Sequence, residues 1–278
     1  MFYLQLRNEL WKLFGKKRTY IGFAMFLIAQ NLITFVFRFS NASRSIVRQL
    51  ENNGYVADQF ISVLTIATVM LFPIAYVLLP LYVSLVGGDL VAKEAEDGTL
   101  RMILARPISR FRLLLIKWVA GAIFSVLLIF FFCFFGLLSA SLFFKWSGLF
   151  VMIPGELFSV FDSRTGLEHY FFAHVALVTK AITIMGLAFM FSCFNVKPAA
   201  ATILALSFTF VNFILMQIPF FKEIQHWFLT YHLNLWQQMF AQPIPWWRIG
   251  ESFSILVGFN LTFLIIGCAV FQVRDIKS

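Results

Sequence analysis

The chain has 278 residues, of which 60% are hydrophobic and only 13% charged. Soluble domains carry about 25% charged residues, and here the apolar excess recurs in runs near the ~20 residues that cross a bilayer as helix. This excludes a soluble enzyme or binding domain, and a β-barrel would need short alternating segments instead. The net charge of +9 does not mark nucleic acid, because the bases gather beside the hydrophobic runs, the pattern that orients membrane helices. The composition therefore predicts an all-α polytopic membrane protein, with residues 1–278 as one transmembrane domain.

Residues 1–18 read as an amphipathic helix. Phe2, Leu6, Leu10, Leu13 and Phe14 share one face, and Gln5, Glu9, Lys12 and Lys16 the other. Arg7, Lys12, Lys16, Lys17 and Arg18 suit an anionic membrane surface. The apolar run that follows is long for a signal peptide, so the segment is expected to stay as an elbow before the first span.

Six spans follow, at about 20–39, 60–86, 113–144, 170–193, 199–218 and 253–271, the second broken by Pro73 and Pro80. An even number puts both ends of this sequence on one side. That side holds fourteen bases, among them Lys12, Lys16, Lys17, Arg18, Lys93, Arg101, Arg106, Arg110, Arg112 and Lys117. The other holds seven: Arg38, Arg44, Arg48, Lys145, Arg164, Lys222 and Arg248. The asymmetry predicts cytoplasmic termini.

Three segments fall on the outer side. Residues 40–59 read as a polar loop. In 145–169, Trp146, Phe150, Ile153, Leu157 and Phe161 recur at near-helical spacing, which predicts a helix lying in the interface. Residues 219–252 are dense in Phe, Tyr and Trp, with Pro219, Pro243 and Pro245 at their ends. They predict a partly inserted pair of short helices at headgroup depth. Cys133, Cys193 and Cys268 lie in or beside apolar runs without metal spacing and read as packing residues. The four histidines form no metal constellation.

The segment 88–117 sets four acids and six bases between two long hydrophobic runs. Such charge density demands water, so it reads as a solvated loop at one membrane face. Glu94 and Glu96 offer charges for bases on a partner, and Gly98 permits a sharp redirection. Leu100, Ile103 and Leu104 give a short helix an apolar face. Pro107 stops that helix, and Ser109 caps the next.

The order Glu94-x-Glu96-x-Gly98-Thr99-Leu100, then Pro107-x-Ser109-Arg110 and Lys117, resembles the segment between spans two and three of ABC-2 type transporter permeases. The basic elbow and the ending Phe271-Gln-Val-Arg274-Asp275-Ile276 resemble that family too. The resemblance implies a coupling helix within 88–112 that seats on a separate ATP-binding subunit, with Glu94, Glu96, Gly98, Thr99, Leu100, Arg101, Leu104, Pro107 and Arg110 as its functional residues. It implies ATP and Mg on that partner and none on this chain, where Gly15, Lys16 and Lys17 lack the rest of a phosphate-binding loop. It also implies a second permease, identical or a sister chain, and transport in the export direction through a cytoplasmic (inner) membrane. A non-transporting scaffold that carries ATP-driven motion to outer partners, or an intramembrane enzyme, is the alternative.

Within the spans, Lys180 is the sharpest oddity, since a membrane-buried ammonium must find water, a partner or the interface. Lys180, Asn212 and Asn260 are the candidate substrate-path residues; bonding between helices is the competing role for the two asparagines.

Overall fold

The computed structural model describes residues 2–41, 43–105, 108–153 and 156–274, without the side chains of Arg18 and Ser45. Among these residues, six helices are long and apolar enough to cross a membrane. The amphipathic segment forms α1 (Phe2–Phe14), and α2 (Lys17–Phe39) is the first span. The second span runs unbroken from Val63 to Glu96. It comprises α4 (Val63–Pro73), a π-helical turn (Ile74–Leu78) and α5 (Leu79–Glu96). Pro73 and Pro80, expected to break it, instead bracket the widened turn. A proline lacks its N–H and crowds the preceding turn, and a local π segment absorbs that strain without ending the helix.

The helix also continues past residue 86 to Glu96, into the first third of the segment read as a solvated loop. Asp89, Leu90, Val91 and Ala92 are buried. After a short α6 (Thr99–Leu104), the remaining spans are α7 (Arg110–Ser141), α8 (Ser163–Ser192), α9 (Pro198–Gln217) and α12 (Trp246–Val273). The last begins seven residues before the predicted 253, directly after Pro245, whose fixed φ suits a helix start.

Helix α8 is the centre of the bundle, in contact with α5, α7, α9 and α12. It is the most enclosed of the six spans, and α2 and α9 are the least. Its crossing with α5 is close because Gly87 has no side chain. A Cβ there would stand 2.4 Å from the Met185 carbonyl oxygen, and one at Gly88 would stand 2.5 Å from Thr202 Oγ1 on α9. Small residues at such crossings let backbones approach where lipid gives no hydrophobic drive.

At one end of the bundle, called distal here, three structures cap the spans. The 40–59 segment holds a helix, α3 (Ser43–Asn52), which buries Ile46 and Leu50 against Phe150. The predicted interfacial helix within 145–169 is instead a β-hairpin, β1 (Leu149–Ile153) against β2 (Leu157–Phe161), with Leu149 opposite Phe161 and Ile153 opposite Leu157. Its apolar residues fit a helical spacing, but the sequence between the strands is Pro154-Gly155-Glu156, whose Pro-Gly is a strong turn signal, and the flanks are rich in Val, Ile and Phe, which favour strands. The hairpin is fixed to the start of α4. The Phe150 N–H donates to Thr65 Oγ1 at 2.9 Å and Ser62 Oγ donates to the Gly148 carbonyl at 2.6 Å.

The third distal structure follows α9: a 3₁₀ segment (Pro219–Trp227), α10 (Leu229–Leu233) and α11 (Leu235–Gln238). Here the aromatic residues divide. Phe220 and Trp227 face outward, whereas Trp236 and Phe240 are fully buried. Trp236 packs on Phe72, and Gln237 donates to the Tyr76 hydroxyl at 2.8 Å, so these short helices dip into the bundle beside the middle of the second span.

Candidate functional site

The opposite end, called basal here, gathers α1, the α5–α6–α7 segment, the α8–α9 connection and the end of α12. Its centre is an ion network. Lys117, one turn and more inside α7, is 1% exposed. Its ammonium lies 2.8 Å from Glu9 Oε2 on α1 and 2.8 Å from Glu94 Oε2 at the end of α5. Lys12 closes the ring, 2.7 Å from Glu9 Oε1 and 3.0 Å from Glu94 Oε1. Two acids and two bases thus alternate and join the N-terminal α1 to α5 and α7.

Glu9 was expected on the solvated face of α1, yet it is buried. It falls between Leu6 and Leu13 on the packed face, and it is held there by a buried cation. Burial alone would raise the Glu9 carboxyl, but Lys117 and then Lys12 outweigh it and hold its pKa below the ordinary value. Burial alone would lower the Lys12 ammonium, and Glu9 with Glu94 raises it instead. Glu94 also departs from the expectation that it pairs with bases on a partner. Both of its oxygens are engaged within the chain.

Gly98 turns the chain between α5 and α6 at φ +71, a left-handed conformation that disfavours side-chain-bearing residues. Thr99 Oγ1 donates to the Glu94 carbonyl at 3.3 Å, which ties the turn to the network. In α6, Leu100 is buried, and Ile103 and Leu104 pack on the same core. The apolar face of this short helix therefore seats it on its own bundle. What α6 and its approach leave exposed is a rim of Glu96, Asp97, Arg101 and Met102, with Met102 67% exposed. Lys93, 2.8 Å from Glu96 and 3.0 Å from Asp97, braces the acidic part of that rim. Pro107 lies outside the described residues.

Ser109 caps α7, accepting from the Arg112 N–H at 3.3 Å. Arg110 donates to the carbonyls of Phe271, Gln272 and Arg274 at 3.0, 2.9 and 3.1 Å. Arg274 does the same for the end of α8, donating to the Phe194 carbonyl at 3.0 Å and to Asn195 Oδ1 at 2.8 Å. Guanidinium groups at helix C-termini satisfy orphan carbonyls and oppose the helix dipole. Arg110 thus ties the start of α7 to the end of α12 rather than pointing outward.

Of the elbow bases, Lys12 belongs to the ring, Lys16 lines a narrow cleft with Asp89, and Lys17 is exposed. The α1–α2 junction is pinned from the second span, where the Tyr82 hydroxyl donates to the Thr19 carbonyl.

The three span residues separate. Asn260 is buried and donates to Thr183 Oγ1 at 2.7 Å, a bond between α12 and α8. Asn212 donates to the Phe208 carbonyl of its own helix at 2.9 Å. Lys180 is 4% exposed and its ammonium lies 4.6 Å from the centre of the Tyr76 ring. It lines a cavity of about 300 Å³ bounded by the second span, α9 and α10. Neither Asn260 nor Asn212 is among the residues that line this cavity with Lys180. In the linear sequence Lys117 stands out only as a motif position, and Glu9 is not marked as its partner. The usable signal was a glutamate flanked by Leu6 and Leu13 on the packed face.

A relative in Bacillus subtilis (strain 168), the uncharacterized protein YhcI, is 23% identical over 213 residues, which is 73% of this chain and 66% of that protein. The match thus covers just under two thirds of that relative's length. The family model described as ABC-2 family transporter protein matches residues 6–276, from the elbow helix to beyond the last span. This multi-pass membrane protein belongs to the ABC-2 family of transporter proteins.

Proposed function

We propose that this chain is the membrane-spanning subunit of an ATP-driven exporter, with its basal end in the cytoplasm and a separate ATP-binding subunit seated on the rim formed by Glu96, Asp97, Arg101 and Met102. One observation carries the reading: α6 is fixed to the end of α5, whose Glu94 belongs to an ion ring that joins three helices. Leu100 anchors it in the core, and the Glu9–Lys12–Glu94–Lys117 ring joins α1, α5 and α7 immediately behind it. A push on α6 is therefore delivered to the elbow and two spans together. The ATP and Mg belong to the partner, and two permease chains make one transport unit. The poorly enclosed α2 and α9 present Ile21, Ile28, Ile203 and Ile214 outward, surface for lipid or for that second chain.

The docking rim is tested with Met102→Glu combined with Arg101→Glu, both exposed positions outside the ion ring. Co-purification of the ATP-binding subunit should fall at least about tenfold, a change of roughly 1.4 kcal/mol or more, with the thermal unfolding midpoint of the permease unchanged. Undiminished co-purification and transport would remove the rim from the mechanism. Cargo-stimulated ATP hydrolysis in liposomes separates a transporter from a scaffold that only relays motion.

A further inference from the structure

The Lys180 cavity is distinct from the basal rim and has features that the coupling role does not use. Ser163 and Ser192 end α8, so at about 1.5 Å per residue Lys180 lies roughly 25 Å from the distal end and 18 Å from the basal end. That depth is within the hydrocarbon layer. An ammonium there is costly and marks a functional site by default. Among the described residues, no carboxylate pairs with it. Its contact is the face of Tyr76, a neutral ring, and a cation over a ring still lacks a counter-charge.

The wall opposite is apolar, with polar atoms contributed by Thr209, Thr230 and Asn234. Three other lining residues are exposed on the outside of the bundle: Val77 at 52%, Phe210 at 41% and Ile214 at 59%. The cavity therefore opens sideways to the bilayer through an apolar mouth, with its single positive charge at the inner end. Tyr76 and Val77 of the second-span wall lie in the π-helical turn Ile74–Leu78, and such turns frequently sit at functional sites.

We infer that this cavity binds an anionic amphiphile, its acidic headgroup at Lys180 and its chain leaving between Val77 on the second span and Phe210 and Ile214 on α9. A carboxylate and an anionic phosphate ester share that chemistry. The apolar mouth discriminates against a small free anion, and the lone ammonium discriminates against a neutral or cationic amphiphile. A place for this ligand as cargo rests on the transport reading, whereas its occupancy of the cavity does not. Binding is therefore measured on the permease alone, without ATP-binding subunit or nucleotide.

The experiment is equilibrium binding of radiolabelled decanoate to the full-length chain in nanodiscs of phosphatidylcholine, competed by decanol, decyltrimethylammonium or acetate. Decanoate should bind about tenfold or more tightly than each of the three. Lys180→Met should abolish the preference over decanol, and Lys180→Arg should retain it. Should Lys180→Met fail to fold, Ile214→Trp, which fills the mouth from an exposed position, should lower decanoate binding by a similar factor. Nanodiscs containing phosphatidylglycerol identify the source: competition by the lipid assigns the site to a membrane phospholipid, and its absence assigns it to a free acyl anion. Equal binding of decanoate and decanol, or a preference that survives Lys180→Met, overturns the proposal. If binding behaves as stated but decanoate does not stimulate ATP hydrolysis in the assembled transporter, the site stands and its role as a cargo site falls.

Discussion

Lys117 concentrates the energetics of the basal end in one side chain. It is buried between two carboxylates that it neutralises together with Lys12. Removing one partner of a buried pair leaves uncompensated charge and costs about 3–5 kcal/mol. Lys117→Met is therefore expected to lower the unfolding midpoint strongly, and adding Glu9→Gln and Glu94→Gln should recover much of the loss, because a neutral pocket no longer needs a cation. Thermal unfolding in detergent reads both effects. If the single variant is as stable as the parent, the ring is not a structural brace. The pH dependence follows from Glu9. Its folded pKa is depressed, so its stabilising contribution is fully present above the unfolded carboxylate value of about 4.3 and is lost as pH falls through the lower folded value. Glu9→Gln should flatten that acidic limb of the stability curve. A wild-type acid limb in the variant would assign the loss to other carboxylates.

The turn from α5 into α6 is governed by Gly98. Nothing lies within 4 Å of where its Cβ would stand, so a side chain there meets no clash. The cost of substitution is that of the left-handed backbone, about 1–2 kcal/mol for an ordinary residue. Gly98→Val should disturb the seating of α6 and reduce ATP-stimulated transport, while Gly98→Asn, which tolerates that conformation, should retain most of it. Transport assays on the two variants separate backbone strain from side-chain bulk; equal losses in both would point to bulk at the partner's surface. Elements elsewhere show how local signals compete. The spacing of Phe150, Ile153, Leu157 and Phe161 suggested a helix, yet strand propensity and an intervening turn dipeptide prevailed, and the resulting hairpin docks on Ser62 and Thr65. Neither partner could be named from the hairpin's own residues.

Across the whole molecule, the segregation of basic residues predicts that the α6 rim and the β-hairpin lie on opposite sides of the membrane. Cys133, Cys193 and Cys268 are all buried, which leaves little background for thiol labelling. Met102→Cys, at a 67% exposed position, should react with a membrane-impermeant maleimide only after the cytoplasmic side is opened, and Phe158→Cys, 39% exposed on the hairpin, should react from outside intact cells. Reaction of both from the same side would overturn the topology and, with it, the docking of an ATP-binding subunit on α6.

Span number, approximate span positions and the elbow, Gly98 and Ser109 signals were legible in the linear chain, because hydrophobic run length, charge segregation and turn chemistry are local properties. The ring of Glu9, Lys12, Glu94 and Lys117 was not, since its members meet only when α1, α5 and α7 pack, and sequence assigns a charged residue no partner. The same limit explains why Glu94 and Arg110 looked available to another subunit and proved to be engaged within their own. Lys180 could be recognised as costly from the sequence alone. Its ring contact, its cavity and the opening towards lipid came from the tertiary structure, where α9, α10 and a widened turn of the second span converge around one ammonium.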